Sequence, residues 1–252
     1  MPLTGTRDIT PLLASAPLMP GFDTEPWPLH GVTILQLMYE IRQESMVDLL
    51  PPALHPTIPP TLVFNVTSVP ESEIGPFTFA EVRVGCRAAA RPRGFVARVY
   101  CDSDAAIAAL GNRWGYPVQR AEVTLKRGYD RVTTSVRHNG KLILEGALIN
   151  PEPISGGDVQ YLANMNLARV VRDGAEVVRL VQVDPDYTFH KADRGKPQLT
   201  AFDADAWGLP GADPWFPISA SVTTCDMTLP HIRYVVDPAK PPLQAIEVVG
   251  AL

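Results

Sequence analysis

The stretch IAALGNRWGYPVQR, residues 107–120, joins a run of small residues typical of a helix to a turn and then to a strand. Gly111 and Gly115 provide the backbone freedom that a sharp reversal needs, and Pro117 fixes the direction in which the chain leaves it. The alternation after Pro117 predicts a half-buried strand. An ordinary helix-to-strand connection explains the same residues. We expect the turn to display four side chains, those of Asn112, Arg113, Trp114 and Tyr116.

The motif GNRWGYP, residues 111–117, resembles the turn of the acetoacetate decarboxylase family in which a lysine and one or two further residues precede Gly-Tyr-Pro. GKPQLTAFDADAWGLPGADPWFPISASVTTCDMTLPHIRYVVD, residues 195–237, is similar to the closing segment of that family. FTFAEVRVG, residues 77–85, resembles its strand with an acidic pocket residue, and MYEIRQESMVDLLPPALHP, residues 38–56, resembles the segment before it. The resemblance implies an α+β fold, mostly antiparallel, with a curved sheet forming a cone or open barrel and a few short outer helices.

The main departure from that resemblance lies in the turn itself. The family's decarboxylases form an imine through a lysine there, and the corresponding positions in this chain are Asn112 and Arg113. An amide nitrogen is not nucleophilic and a guanidinium stays protonated at physiological pH, so neither residue can form the imine. The sequence therefore argues against decarboxylation through a Schiff base. The five lysines of the chain lie elsewhere, at Lys126, Lys141, Lys191, Lys196 and Lys240.

The length of 252 residues and the hydrophobic fraction of 46% suffice for a full core, and we interpret residues 1–252 as a single domain. Residues 1–27 are rich in proline, threonine and serine, which predicts an extended arm over the body of the domain. Such an arm often packs on a neighbouring subunit. Together with the aromatic residues of the loop at 207–216, it predicts a homo-oligomer. The same loop also suits a lid or a plug of the core.

Charge and motifs limit the class of partner. The net charge of −5 provides no positive field for nucleic acid or an anionic membrane, so we expect a small-molecule substrate or ligand. No signal peptide or bilayer-spanning stretch is recognisable, which predicts a cytoplasmic protein. Without a phosphate loop, a dinucleotide fingerprint or zinc spacing, we expect no cofactor and no metal. Three cysteines in apolar runs are predicted to be buried free thiols: Cys86, Cys101 and Cys225.

Glu81 is the candidate acid–base group. Alternation along residues 77–85 places Phe79, Glu81 and Arg83 on one face of a strand. An unpaired carboxylate between apolar neighbours is costly to bury, so Glu81 either faces solvent or has a cationic partner. We predict that Arg113 is this partner across a cavity and that both residues are catalytic. Substrate contacts are predicted for seven residues: Asn65, Phe79, Asn112, Trp114, Tyr116, Asn164 and His190.

Some of these candidates have a structural alternative. Asn65 interrupts an apolar strand face near the place of a second acidic residue in the resembled family, but backbone groups at a bulge can also satisfy it. Asn164 and Asn166 lie two residues apart and share one face if the chain is extended there. His190 follows an alternating run and can point inward or outward, so a structural role is its main alternative.

Two functions from different classes follow. The first is an enzyme of the resembled superfamily without the imine lysine, with lyase, dehydratase or cyclase chemistry on an oxo-acid or a polyketide-like molecule of secondary metabolism. The second is a non-catalytic protein that binds an apolar carboxylated ligand through Arg113. A purely structural role through the arm and the loop at 207–216 is a third, weaker hypothesis.

Overall fold

The computed structural model describes residues 3–88 and 91–249. The strands are β1 (Leu18–Met19), β2 (Trp27–Ile41), β3 (His55–Pro56), β4 (Thr61–Val69), β5 (Phe77–Ala88), β6 (Arg91–Cys101), β7 (Val118–Arg120), β8 (Glu122–Arg127), β9 (Arg131–His138), β10 (Lys141–Ile154), β11 (Ala163–Arg172), β12 (Ala175–Val183), β13 (Asp186–Phe202), β14 (Pro214–Leu229), β15 (Tyr234–Val236) and β16 (Ile246–Val248). The helices are α1 (Gln43–Leu49), α2 (Asp104–Trp114) and α3 (Pro242–Ala245), with single 3-10 turns at Thr10–Leu12 and Gly156–Asp158.

The strands within the described ranges form one open, curved sheet. Its order is β16-β15-β12-β11-β6-β5-β4-β2-β14-β13-β10-β9-β8. Three short strands lie outside this order, and β1 pairs with β11, β3 with β5 and β7 with β6. The β11–β6, β1–β11 and β6–β7 pairs are parallel, and the other pairs are antiparallel. The sheet curls until β8 packs over β4, β5 and β6. The predicted fold class, a mostly antiparallel curved sheet with few helices, is confirmed.

Two apolar cores lie on opposite faces of β4, β5 and β6. Ala80 and Val82 face the first core, which β8 covers, whereas Phe77 and Phe79 face the second core together with Trp114. Strands that are buried on both faces carry nearly continuous apolar runs. Ala80 and Val82 flank Glu81 along β5, and successive side chains of a strand point to opposite faces. The side chain of Glu81 therefore points into the second core.

The turn predicted at residues 111–117 begins later than expected. Helix α2 starts after Ser103, whose hydroxyl accepts from the Ala106 amide, and continues through Trp114. It ends at Gly115, which adopts the left-handed conformation with φ of 67° and donates to the Gly111 carbonyl. A Cβ at Gly115 would lie 2.9 Å from the Ala168 Cβ, so the close packing also requires glycine. Residues 112–114 are consequently helical and are not displayed on the turn.

The N-terminal arm docks on its own chain. The amide of Gly5 donates to the Leu54 carbonyl at 2.9 Å, that of Thr6 donates to the Val47 carbonyl at 2.9 Å, and β1 pairs with β11. Arg7 is partly buried beneath the loop at 207–216, and burial, followed by the charge of Arg98, lowers its pKa to about 10. The arm thus needs no second subunit to order it. The homo-oligomer stays a prediction that rests on the exposed aromatic residues.

The segment at 207–216 is a loop only up to Asp213, because β14 begins at Pro214, and it combines two of the roles considered for it. Trp207 is fully buried and donates through Nε1 to the Ile143 carbonyl at 3.2 Å, so it plugs the first core. Trp215 and Phe216 are 54% and 50% exposed and remain available for a subunit contact. All three cysteines are buried and free, as predicted. Among the described residues, no helix has the length and apolar character needed to cross a bilayer.

Candidate active site

Glu81 lies at the centre of a buried polar cluster in the second core. Its side chain is 2% exposed, and the preceding residues on the same strand face, Phe77 and Phe79, are aromatic. Oε1 accepts a hydrogen bond from Nη2 of Arg83, and Oε2 accepts from Nδ2 of Asn164 at 2.6 Å. β5 supplies Glu81 and Arg83 from positions i and i+2, while β11 brings Asn164 from the other side of β6. Both carboxylate oxygens therefore have a donor.

Arg83 is the cation of the cluster. Its side chain is 4% exposed, and Nη1 donates to the Leu162 carbonyl at 2.7 Å. The side chain lies over Gly94, where a Cβ would come within 2.8 Å of the Arg83 Cβ and 2.9 Å of its Cδ. Burial disfavours the charged guanidinium, but the charge of Glu81, its hydrogen bond to Arg83 and the nearby Tyr187 and Tyr116 together leave the pKa of Arg83 above its usual value. The two residues thus form an ion pair.

Asn65 completes the cluster from β4, where it is the register partner of Glu81. Its amide is assigned with the oxygen toward Arg83, because the oxygen then accepts from Nη2 at 3.3 Å and the nitrogen donates to the Phe64 carbonyl at 3.2 Å. In this orientation Asn65 touches both the charged pair and the backbone. The ligand role and the structural role weighed for it are compatible.

Three tyrosines surround the pair. Burial, followed by the negative charge of Glu81, raises the pKa of Tyr116 well above its usual value. Burial also raises the pKa of Tyr187, whose ring lies 4.9 Å from that of Tyr161. The Tyr161 hydroxyl hydrogen-bonds to Thr223 at 2.8 Å. At neutral pH these phenols are therefore uncharged and available as hydrogen-bond donors.

Two polar atoms of the cluster remain free. Nε of Arg83 and Oδ1 of Asn164 are buried and have no hydrogen-bond partner among the described residues. A buried polar atom without a partner is costly, and it is often found where a ligand binds. One of these atoms is a donor on a cation and the other is an acceptor, so together they suit a small polar ligand.

The predicted contact between Glu81 and Arg113 is wrong. Nη1 of Arg113 lies 3.3 Å from a Glu73 carboxylate oxygen, and Nη2 donates to the Glu25 carbonyl at 3.0 Å. The guanidinium also lies over the Trp114 ring, 4.4 Å from its centroid. Because α2 continues through Trp114, the side chain of Arg113 lies on the outer side of the helix. The cationic partner of Glu81, predicted to be Arg113, is therefore Arg83.

The other predicted residues divide between the cluster and its surroundings. Asn112 is exposed on α2. Phe79 is buried, with its ring centroid 6.3 Å from that of Tyr116. Trp114 is buried and donates through Nε1 to the Pro230 carbonyl at 2.8 Å. His190 is about half exposed and pairs with Asp226 at 3.2 Å, away from the cluster. Asn65, Tyr116 and Asn164 are therefore the predicted substrate contacts that meet Glu81.

Sequence reasoning missed Arg83, Tyr161 and Tyr187 as members of the cluster. The signal for Arg83 was present, because the alternation already placed it on the same strand face as Glu81. Tyr161 precedes β11 and Tyr187 lies on β13, so their approach depends on the curvature of the sheet. No local pattern reports that curvature.

Lysine is absent from the cluster. All five lysines of the chain lie in the described ranges and are exposed. Three of them have an aspartate within 4 Å, and these ion pairs are Lys141–Asp203, Lys191–Asp193 and Lys240–Asp237. No lysine amine is therefore buried beside Glu81.

Comparison with known proteins identifies the relatives of this architecture. The family model described as acetoacetate decarboxylase (ADC) matches residues 11–239. An acetoacetate decarboxylase from Legionella pneumophila is 20% identical, with a TM-score of 0.70 over 83% of this chain and 86% of that chain. A second acetoacetate decarboxylase structure is 18% identical, with a TM-score of 0.74 over 86% of this chain and 91% of that chain.

A third similar structure is the enduracididine biosynthesis enzyme MppR, complexed with the condensation product of pyruvate and imidazole 4-carboxaldehyde. It is 18% identical, with a TM-score of 0.67 over 83% of this chain and 89% of that chain. At these identities the structural likeness shows the fold alone. No match is found among curated proteins.

Proposed function

This chain belongs to the acetoacetate decarboxylase family, and we propose that it is an enzyme in which Glu81 moves a proton on a small oxo-acid without an imine. The buried Glu81–Arg83 ion pair carries this proposal. A buried charge pair is often no more stabilising than an apolar replacement. Charged groups and tyrosines with raised pKa values in a desolvated site are typical of reaction centres.

The substrate class follows from Arg83 and Asn164. A guanidinium binds a carboxylate in a planar, two-pronged geometry, and Nε of Arg83 is free for such a contact. The free Oδ1 of Asn164 can accept from a hydroxyl or an enol. The pyruvate-derived ligand of MppR, a protein of the same fold, supports an oxo-acid.

Substrate binding would also activate Glu81. A substrate carboxylate bound to Arg83 competes with Glu81 for the hydrogen bond from the guanidinium. Loss of this hydrogen bond makes the Glu81 carboxylate a stronger base. Glu81 then accepts a proton from the carbon next to the substrate carbonyl. The C–H electron pair forms the carbon–carbon double bond of an enolate, whose oxygen accepts hydrogen bonds from the neutral phenols of Tyr116 and Tyr187.

The fate of the enolate sets the reaction class. If the adjacent carbon carries a hydroxyl group, this group leaves as water with the proton that Glu81 took up, which gives a dehydration. If the enolate carbon attacks a second carbonyl of the same molecule, the carbonyl oxygen takes that proton, which gives a cyclisation. Both agree with acid–base lyase chemistry, and neither needs a nucleophilic amine. The exposed positions of Asn112 and all five lysines support a route without an imine.

A second candidate is a non-catalytic protein that holds an apolar carboxylated ligand on the same cluster. It is favoured by the saturation of Glu81, since both of its oxygens already accept a hydrogen bond. Glu81, Arg83 and Asn164 are each at most 3% exposed. In that case Arg83 would hold the ligand and Glu81 would only neutralise Arg83.

Glu81→Gln separates these candidates, because glutamine preserves the size of the side chain but is not a base. We expect the enzyme to lose turnover of oxo-acids and to keep ligand binding. Glu122→Gln, at an exposed carboxylate on the edge strand β8, is the matched control. Retained turnover by Glu81→Gln would refute the catalytic role, whereas binding without turnover by the unmodified protein would support the second candidate.

Borohydride trapping tests the route without an imine. Incubation with pyruvate or acetoacetate and borohydride, followed by intact mass measurement, should give no covalent adduct. An adduct mapped to one of the five lysines would overturn the mechanism.

A further inference from the structure

A separate cavity of about 650 Å³ lies at the start of β6 and the end of β12. Its walls come from the end of β5, the start of β6, the β12–β13 connection and residues 230–236. None of its lining residues belongs to the Glu81 cluster. Gln182, which lines it, pairs with Met165 in the sheet, whereas its neighbour Val183 pairs with Asn164. Gln182 and Asn164 therefore point to opposite sheet faces, and the two sites are distinct.

A buried arginine lines this cavity without a direct ion pair among the described residues. Arg93 is 9% exposed, and its Nη1 donates to the Pro92 carbonyl at 2.8 Å. Its Nε is buried without a hydrogen-bond partner, and no ion pair of its guanidinium with a carboxylate is found among the described residues. Burial lowers the pKa of Arg93, although Asp184 opposes this effect. A buried unpaired cation is costly and calls for an anionic ligand group.

Charges of both signs surround Arg93 in the cavity. Arg91 and Arg233 also line it, and so do Asp184 and Asp186. These four residues are exposed, and none of them forms an ion pair or a side-chain hydrogen bond with another described residue. The arginines attract a carboxylate, and the aspartates repel a second negative charge while attracting a cation. A phosphate dianion or a simple amine therefore fits less well than a molecule with one charge of each sign.

An apolar wall completes the cavity. Ala88, Val236 and Ile246 line it beside the charged groups. Its volume lies within the usual range for small-molecule sites. We propose that this cavity binds an amino acid with an apolar side chain, its carboxylate on Arg93 and its ammonium group on Asp184 and Asp186. The site is independent of the reaction proposed at Glu81.

Calorimetric titration with L-phenylalanine, L-leucine and L-methionine tests the site. We expect saturable binding of at least one of them. The matched acid and amine, 3-phenylpropionate and phenethylamine for L-phenylalanine, should each bind at least about tenfold more weakly, because each lacks one charge-assisted contact. If the acid binds as tightly as the amino acid, the ligand does not need its ammonium group and the proposed zwitterion is wrong. If no amino acid binds at millimolar concentration, the proposed site is wrong.

Three variants assign the contacts. Arg93→Met should abolish binding of both the amino acid and the acid, whereas Arg194→Met, at an exposed arginine outside the cavity, should leave both unchanged. Arg93→Met should not lower the melting temperature of the ligand-free protein, because it removes a buried unpaired charge. A purely structural arginine would lower it, and that result would count against the proposal.

Asp186→Asn changes an exposed side chain and keeps the test decisive if the arginine variant does not fold. This variant should bind the amino acid about tenfold more weakly than the unmodified protein and should bind 3-phenylpropionate with unchanged affinity. Equal loss for both ligands, or loss for neither, would show that Asp186 does not contact an ammonium group.

Discussion

Replacing Arg83 with methionine leaves the carboxylate of Glu81 in the second core without its cation. The side chains of this pair are 4% and 2% exposed, so solvent provides little screening. Removing one partner of such a pair typically costs about 3–5 kcal/mol in the free energy of unfolding. For a chain of this length that loss lowers the melting temperature by roughly 6–20 °C. Urea denaturation followed by far-UV circular dichroism measures it.

The control is the surface pair of Arg131 and Asp130, whose side chains are 54% and 58% exposed. Arg131→Met should leave the free energy of unfolding almost unchanged, because exposed ion pairs contribute little. Adding Glu81→Leu to Arg83→Met should recover most of the lost stability, since the uncompensated charge is then gone. The reasoning is refuted if Arg83→Met costs no more than the control, or if the double variant is as unstable as the single one.

Three shorter predictions concern other parts of the molecule. Gly115→Ala should lower the free energy of unfolding by at least about 2 kcal/mol, because alanine is strained in the left-handed conformation and its Cβ also clashes with Ala168. Gly140→Ala should lower it by about 1 kcal/mol, because the backbone is left-handed there too but the space around the Cβ is open. Burial raises the pKa of Tyr116, Tyr161 and Tyr187 in the folded protein, so stability should fall as pH rises above 10, where these phenols ionise on unfolding, and Tyr187→Phe should reduce this slope in alkaline urea titrations. Burial raises the pKa of Cys225 to about 11, so this thiol should resist disulfide reagents at pH 8 until the protein is unfolded.

The fold was predictable because its signals are local or shared with a family. Alternation along β5 indicated both the strand and the inward direction of Glu81. The hairpin between β9 and β10 turns at Asn139-Gly140 with positive φ at both residues, which is the conformation that an Asn-Gly pair favours in a two-residue turn. The resemblance supplied the curvature of the sheet, which no short pattern contains.

The site was only partly predictable. Asn65, Tyr116 and Asn164 were placed correctly beside Glu81. Arg113 was not, because its direction depends on whether α2 ends at Gly111 or at Gly115. In the structure α2 ends at Gly115, which packs against Ala168 and Met19. The local sequence does not show which of the two glycines ends the helix. Tyr187 reaches the site through long-range pairing that alternation alone does not specify.

Deuterium exchange into pyruvate tests the role of Glu81 as a base most directly. The protein is incubated with pyruvate in heavy water, and the loss of the methyl proton signal is followed by NMR against a protein-free sample. We predict faster exchange with the unmodified protein and with Glu122→Gln, and exchange at the protein-free rate with Glu81→Gln. Exchange by Glu81→Gln at the unmodified rate, or no acceleration by the unmodified protein, would contradict proton transfer by Glu81.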